Sequence, residues 1–139
     1  MIYKKLKNKS GRLIAEGNVD SNLKRTGEWI IYHRPIDYFK EEDLSDLIKS
    51  LPDFTEIIHY KNGKKHGLSI LHDWFDQYRV EEGKYYWGQK HGHWVYSYNH
   101  GIVYEEGNYY KGKRNGKWFY YDDNKNIEKI ENYSMGKLM

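Results

Sequence analysis

Seven histidines give this 139-residue chain its most obvious opportunity for metal or acid–base chemistry. His91 and His93 are two residues apart, and His66 precedes them in a related segment. A zinc site needs three or four converging ligands, but the position shared by His66 and His91 is occupied by Asn115 in the next related segment. A position that accepts either histidine or asparagine requires only a polar residue that suits a turn. The histidines therefore indicate turn chemistry, and we expect neither a metal nor another cofactor.

Adjacent acidic pairs occur at Glu81-Glu82 and Glu105-Glu106, with Asp122-Asp123 further along the chain. Two carboxylates can hydrolyse a glycosidic bond when they face each other across a cleft. Adjacent residues of a strand point to opposite faces of the sheet, so neither glutamate pair forms such a dyad, and we expect cross-strand ion pairs instead. The chain has no cysteine, and it lacks a Ser-His-Asp arrangement, a phosphate-binding glycine loop and an HExxH motif. We therefore predict that the protein is not an enzyme.

Basic residues recur at one turn of each related segment: Lys24-Arg25, Lys64-Lys65, Lys90, Lys111 and Lys113-Arg114. If hairpins stack in register, a strand spacing of ~4.8 Å places successive turns about 10 Å apart along one edge. Such a row of positive charge could bind an acidic protein or an anionic lipid headgroup. The alternative is a set of solvated turns whose lysines protect the sheet edges. The net charge is only +3, from 23 basic and 20 acidic residues, which disfavours nucleic acid as a partner.

An internal repeat of about 24 residues must position all of these side chains. Segment 82–96 aligns with segment 106–120, and the same Glu, Gly, Tyr and Trp positions recur in both. Each unit predicts two strands and two turns, since alternating aromatic and polar residues are typical of a strand with unlike faces. The units are expected at about 12–32, 57–81, 82–105 and 106–129, with a partial copy at 130–139.

Glycines recur in two settings within this repeat. Pairs such as Gly88 and Gly92 indicate a short hairpin loop that needs positive φ. Gly17, Gly83 and Gly107 lie inside predicted strands, where we expect a Trp or Tyr of a neighbouring strand to lie over the bare backbone. A β-bulge is the alternative at these three positions. The predicted fold is mainly β, a single domain over residues 1–139 made of tandem hairpins in one elongated, twisted antiparallel sheet.

The pattern Gly-x-Tyr-x-x-Gly-x-x-x-Gly-x-Trp resembles the MORN repeat, in the variant form of bacterial MORN-like proteins and YwqK-type antitoxin modules. The residues that carry the resemblance are Gly83, Tyr85, Gly88, Gly92, Trp94, Gly107, Tyr109, Gly112, Gly116 and Trp118. The resemblance covers about residues 12–32 and 57–139, and it implies a β-hairpin scaffold that contacts protein or lipid without chemistry of its own. In the second copy Ile58 replaces the first glycine and Ser69 replaces the tryptophan, which predicts less regular packing over residues 57–72.

The repeat is interrupted at about residues 33–56, and this insertion predicts an α-helix at about 40–50. Its apolar residues fall at i, i+3, i+4 and i+7 and form one helical face: Leu44, Leu47, Ile48 and Leu51. Pro52 then ends the helix. We expect this face to dock on the sheet or cover its end, and the alternative is a docking face for a partner helix or a second copy of the chain.

A second irregularity contains Trp74 and Phe75, which we expect either to fill the space left by Ser69 or to serve as contact residues. The recurring rings could likewise form a core or a contact stripe: Tyr85, Trp94, Tyr96, Tyr109, Trp118 and Tyr120. The candidate binding residues are therefore Lys64, Lys65, Lys90, Lys113, Arg114, Trp74 and Phe75.

These features predict a non-catalytic scaffold for protein–protein interaction, with an antitoxin or immunity-type protein as its specialised form. The partner protein is not identified by the sequence. The alternative is a membrane-associated module that binds anionic phospholipid headgroups through its basic hairpin turns. Unpaired end strands could also join copies of the chain into a homo-oligomer. Because no stretch reaches the ~20 apolar residues that span a bilayer and no signal peptide is recognised, we expect a cytoplasmic protein.

Overall fold

A computed structural model of the chain describes residues 1–34, 54–73, 79–98 and 101–139. These residues form one antiparallel sheet of eleven strands, in which the order of the strands follows the order of the chain. The strands are β1 (Ile2–Lys7), β2 (Leu13–Val19), β3 (Arg25–His33), β4 (Phe54–Lys61), β5 (Lys64–Asp73), β6 (Arg79–Tyr86), β7 (Gln89–Tyr98), β8 (Ile102–Tyr110), β9 (Lys113–Tyr121), β10 (Ile127–Ser134) and β11 (Lys137–Leu138). The prediction of a mainly β fold built from successive antiparallel hairpins is confirmed.

Some predicted features lie outside the described residues. They are the helix at about 40–50 and the irregular segment containing Trp74 and Phe75. They stay predictions. Within the described ranges every regular element is a strand, so these ranges hold no helix long and apolar enough to cross a membrane.

One end of the strands carries a line of hairpin turns, which we call the turn row. Its two-residue turns are Asn62-Gly63, Trp87-Gly88, Lys111-Gly112 and Met135-Gly136, and a longer turn at 20–24 precedes them. Both residues of each two-residue turn have positive φ. This is the type I′ geometry that matches the natural twist of a hairpin, and glycine adopts it at the second position without steric cost. The turns therefore follow directly from the recurring glycines.

Backbone hydrogen bonds join each turn of the turn row to the unit before it. The glycine N–H of one turn donates to the carbonyl of a basic residue in the preceding unit, at 2.7–3.0 Å in four successive cases. The pairs are Gly63 with Arg25, Gly88 with Lys65, Gly112 with Lys90, and Gly136 with Arg114. Adjacent units are therefore held in a fixed register at this end of the sheet.

Tryptophan rings lie directly over the glycines inside the strands. A Cβ atom built on Gly17, Gly83 or Gly107 would lie 2.5, 2.2 or 2.3 Å from the indole ring of the following strand. The three rings belong to Trp29, Trp94 and Trp118, which are 1%, 2% and 0% exposed. The predicted packing of an aromatic ring over bare backbone is confirmed.

A β-bulge occurs at the same glycines, so the alternative interpretation is correct as well. The register shifts between Glu82 and Lys84 on β6, where three residues of β7 lie opposite the single residue Gly83. Within the bulge the Trp94 Nε1–H donates to the Lys84 carbonyl at 3.0 Å. Equivalent bonds run from the other two tryptophans to Asn18 and Asn108. The indole thus covers the glycine and satisfies a backbone acceptor beside it, which buried polar groups require.

The second unit has a large side chain where the other units have glycine and a small one where they have tryptophan. Ile58, at the glycine position, is buried, and Ser69, at the tryptophan position, is buried opposite it. Trp29 pairs with Ile58 on one side, and Gly83 pairs with Ser69 on the other. Large and small side chains therefore still complement each other across the sheet, as close packing requires. The prediction of less regular packing over residues 57–72 stays a prediction, since neither residue belongs to the hydrophobic clusters around Trp29 or around Trp94 and Trp118.

Replacing Gly107 by alanine tests the ring-over-glycine packing. The added methyl group overlaps the buried indole of Trp118, so we expect the free energy of unfolding to fall by about 2–3 kcal/mol. Urea denaturation measures this loss. The control is Asn108→Ala at the neighbouring exposed position, which should change the stability by no more than about 0.5 kcal/mol. Equal effects of the two substitutions would contradict the packing described.

Candidate binding surfaces

The face of the sheet that carries the tryptophans, which we call the core face, is covered by its own tyrosines. The Tyr85 ring meets Trp94 edge-on, with centroids 5.3 Å apart and planes at 88°. Tyr109 contacts both Trp94 and Trp118 in the same manner, at 6.0 and 5.1 Å. Edge-to-face contacts of this kind are favourable for aromatic pairs. The predicted aromatic stripe is therefore mainly a core, and its tryptophans are not available to a partner.

Basic residues complete the cover on the core face. The Arg25 guanidinium carbon lies 4.3 Å from the centroid of Trp29, the Lys90 ammonium 4.6 Å from that of Trp94, and the Arg114 guanidinium carbon 4.1 Å from that of Trp118. Each cation also lies within 5.6 Å of a tyrosine ring in the next unit. Cations are attracted to the faces of aromatic rings, so each unit shares one cation with its neighbour.

The predicted row of basic turn residues is corrected by these contacts. Lys65, Lys90 and Arg114 are half-buried on the core face, whereas Lys64 and Lys113 remain exposed. Adjacent residues of a strand point to opposite faces, so the pairs Lys64-Lys65 and Lys113-Arg114 are divided between the two faces. Only one member of each pair can contribute charge to a binding surface.

Hydroxyl groups on the core face are joined in a hydrogen-bonded network. The Tyr96 and Tyr109 hydroxyls lie 2.8 Å apart, and the Lys90 ammonium donates to Tyr96 at 3.2 Å. Burial raises the pKa of Tyr85 to about 12. Burial and the bond to Tyr109 hold the pKa of Tyr96 well above its usual range. These phenols therefore remain neutral at ordinary pH and serve the packing of the sheet.

The acidic pairs are divided between the two faces in the same way as the basic pairs. Glu105 lies on the core face, where the Arg114 guanidinium contacts it at 2.7 Å. Glu106 lies on the opposite face, which we call the outer face, with His93 at 3.3 Å and the Tyr121 hydroxyl donating to it at 2.6 Å. The expected cross-strand pairing is confirmed for Glu106. Within the described ranges, His, Asp and Glu side chains do not gather in groups of three or more.

The outer face carries a continuous line of exposed rings next to the turn row. His66 lies between Trp87 and Tyr86, with centroid distances of 4.6 and 5.2 Å. His91 lies between Tyr86 and Tyr110, at 5.7 and 5.6 Å. We call these five residues the ring row. Tyr86, Tyr110 and Trp87 are 57%, 43% and 39% exposed, so this line of rings contacts solvent while the tryptophans of the core face do not.

The repeat itself does not require rings at these positions. Other units place Asn62, Lys111 and Met135 where the third unit has Trp87. They place Lys61 and Ser134 where the ring row has tyrosine, and Thr26 and Asn115 where it has histidine. Because the hairpins form with polar residues at each position, the architecture does not explain why rings occupy all three positions of the third unit.

Trp87 adopts a backbone conformation that does not suit its size. Its φ is +46°, a region in which bulky residues are rare and for which asparagine is the preferred turn residue. The strain is accepted although the indole is exposed. His66 supports this turn, because its Nδ1 accepts the Trp87 N–H at 3.2 Å, just as the Asn115 amide oxygen accepts the Met135 N–H at 3.1 Å. The predicted turn role is confirmed for His66, and its ring contacts are additional.

The sequence reasoning missed Tyr86, Trp87 and Tyr110 as candidate binding residues. The signal was present, since a tryptophan stands at a turn position that other units fill with Asn, Lys or Met. Strained residues at solvent-exposed positions are characteristic of functional sites. The candidate binding surface is therefore the ring row and the lysines around it, rather than the basic turns alone.

The substitution Trp87→Asn separates the structural from the functional role of this tryptophan. Asparagine relieves the positive-φ strain, so we expect the free energy of unfolding to stay the same or to rise by about 1 kcal/mol. The reciprocal control, Asn62→Trp, should lower it by a similar amount. Chemical denaturation measures both. A loss greater than about 1 kcal/mol in Trp87→Asn would show that the indole is needed for folding.

The raised pKa of Tyr85 predicts a loss of stability at alkaline pH. The folded protein keeps this proton while the unfolded chain releases it, so the contribution is complete below pH 10 and is lost as the pH rises towards about 12. Urea denaturation across this window should show falling stability. The Tyr85→Phe variant should lose less stability over the same interval. An equal decline in both proteins would remove Tyr85 as its cause.

No protein-family model matches the sequence, and no curated protein matches it either. The two faces differ in a way that bears directly on function. The core face is covered by its own phenols and cations, whereas the outer face presents exposed rings and lysines. A partner can therefore reach the ring row without displacing the side chains that bury the tryptophans.

Proposed function

We propose that this chain is a non-catalytic binding scaffold that holds a partner protein on its outer face. The observation that carries the proposal is the ring row, in which three exposed aromatic side chains lie together beside a strained turn. Contiguous exposed aromatic surface marks interaction sites, and Tyr and Trp are the usual anchors of protein interfaces. The central position of the ring row, on strands β5 to β8 and the turn between β6 and β7, supports this role.

Rigidity of the underlying sheet also supports the proposal. The ring row lies on strands and two-residue turns, and each turn is bonded to the preceding unit through its glycine N–H. Side chains on such elements lose little further conformational freedom when a partner binds. Glu106 on the same face has structural contacts of its own, with His93 and Tyr121. These features favour binding over chemistry.

We assign the repeat to the MORN type, and the Gly–Trp hairpin unit supports this assignment. The units at 82–105 and 106–129 combine the glycine, tyrosine and tryptophan positions of the pattern with a two-stranded hairpin. An antitoxin or immunity-type protein is the specialised form of the proposal, because occupying the surface of a toxin requires only a stable platform. Co-expression with the products of neighbouring genes tests this form. Rescue of growth by the protein supports it, and harmless neighbours contradict it.

A second candidate function is binding to an anionic membrane surface through the turn row. Apolar residues stand at the tips of three turns, since Leu23, Trp87 and Met135 are all exposed. Lys24 and Lys111 lie at the same end of the sheet. Apolar tips that enter the headgroup region, together with lysines that meet anionic lipid, are a recognised mode of interfacial binding.

Two variants distinguish these functions, and all their substitutions except Leu23→Ser copy residues that the chain uses at equivalent positions. The row variant combines Trp87→Asn, Tyr86→Ser and Tyr110→Ser, and the tip variant combines Leu23→Ser with Met135→Asn. If the outer face holds a partner, affinity purification from the source cells should recover a stoichiometric protein with the wild type and the tip variant. Recovery with the row variant should fall at least about tenfold, as loss of anchor residues predicts.

Sedimentation with vesicles that contain phosphatidylserine tests the membrane alternative. Vesicle binding that is lost in the tip variant, at unchanged partner recovery, would support the second function. A partner that the row variant retains in full would contradict the first. Circular dichroism of both variants verifies that the sheet is intact, so that loss of binding is not mistaken for loss of fold.

A further inference from the structure

We propose that the ring row and the groove beside it bind an acidic, extended peptide segment of the partner protein. This inference rests on the proposed function and adds the chemistry of the partner. It follows from the charges around the rings, the apolar space next to them, and the geometry of the rings themselves.

The charges that surround the ring row are predominantly positive. The Lys61 ammonium lies 5.5 Å from the Trp87 ring, and the Lys111 ammonium lies 5.4 Å from the Tyr110 ring. Lys64, Lys84 and Lys113 are exposed on the same face and pair in register with Lys61, His91 and Tyr110 respectively. Because these positive charges repel one another, the arrangement is most favourable when a ligand brings carboxylates to it.

The carboxylates on the outer face neutralise little of this positive charge. Glu106 is held by His93, further from the turn row. Glu28 lies 3.9 Å from His59. Glu82 lines the groove beside the rings, where it can accept N–H groups of a bound backbone. Charge complementarity therefore favours an acidic ligand, and one carboxylate remains for the main chain of that ligand.

An open groove of about 540 Å³ adjoins the ring row and shares His91 with it. Leu68 and Val95 line its apolar part, while Lys84 and His93 line its polar part. Leu68 is an exposed leucine on a strand. The groove is large enough for apolar side chains of a peptide, and an extended peptide presents alternate side chains to one surface. A suitable segment therefore combines acidic residues with one or two apolar anchors.

The geometry of the ring row favours a peptide over single-stranded nucleic acid. Neighbouring rings are tilted by 41–48°, so the row has no series of parallel faces on which successive bases could stack. The imidazoles already occupy the spaces between Trp87, Tyr86 and Tyr110. Nucleic-acid channels instead offer separate, accessible ring faces for the bases. Side chains of a peptide can contact tilted rings from their edges without this requirement.

Selection of short random peptides displayed on phage against the intact protein tests the inference without assuming a sequence. We expect the selected peptides to be acidic and to contain an aromatic or aliphatic residue. Titration calorimetry with a synthetic peptide of the selected sequence should give an affinity at least about tenfold higher than for the row variant. The counterpart peptide with Asn and Gln in place of Asp and Glu should also bind at least about tenfold more weakly.

A lysine series isolates the charge contribution. The combined substitutions Lys61→Gln, Lys111→Gln and Lys113→Gln should weaken peptide binding at least about tenfold and reduce its salt dependence. The matched control removes the same charge elsewhere through Lys7→Gln, Lys9→Gln and Lys125→Gln. It should leave the affinity within about twofold of wild type, because charges beyond the screening length contribute little. Equal losses in the two triple variants would overturn the proposed site.

The outcomes separate this inference from the proposed function. Selected peptides that are neutral or basic, but still require the ring row, overturn the acidic chemistry and leave the scaffold function intact. Selection of no peptide that depends on the ring row counts against both. Oligothymidylate that binds more tightly than the selected peptide, and is lost in the row variant, overturns the peptide assignment in favour of nucleic acid. Vesicle binding that survives in the row variant leaves the peptide site unaffected.

Discussion

The described residues form a single-layer sheet that offers no second layer against which to bury its rings, and this constraint shapes how the strands pack. Trp29, Trp94 and Trp118 are each buried within one face, below by a glycine and above by a cation and tyrosine rings. Removing about 200 Å² of tryptophan surface from water stabilises the fold by about 5 kcal/mol. A strand glycine creates the space, and a bulge positions the indole over it. The glycine and tryptophan that recur in the repeat are therefore the residues that this packing requires.

The division of labour between the two faces follows from this packing. Basic residues on the core face are committed to the rings they cover, and their carbonyls also anchor the next turn. Residues on the outer face have no comparable task, so they can vary from unit to unit. The third unit uses this freedom for rings at all three positions of the ring row, and the units on either side place polar side chains at two of the three. Recognition can thus change without disturbing the core.

Much of the fold was predictable from the sequence. The 24-residue period predicts the hairpins, and the glycines inside strands (Gly17, Gly83 and Gly107) indicate where aromatic rings must lie. The binding surface was less accessible. Treating Lys64 and Lys65 as one charged turn overlooked strand alternation, which sends them to opposite faces. The ring row requires knowledge that His66 and Trp87, 21 residues apart, are neighbours in space. The pairing of β5 with β6 sets this register, and local spacing within one strand does not reveal it.

The bond from each turn glycine to the preceding unit has a consequence for how such a protein can change in size. Since these bonds join each described unit to the unit before it, copying one unit within the gene would lengthen the surface by a fixed step of about 10 Å. The original pairing of every other unit would be kept. The length of the surface therefore changes in steps of one unit. Each added hairpin lengthens the binding surface by one step, and a few residues on its outer face determine what that part of the surface can bind.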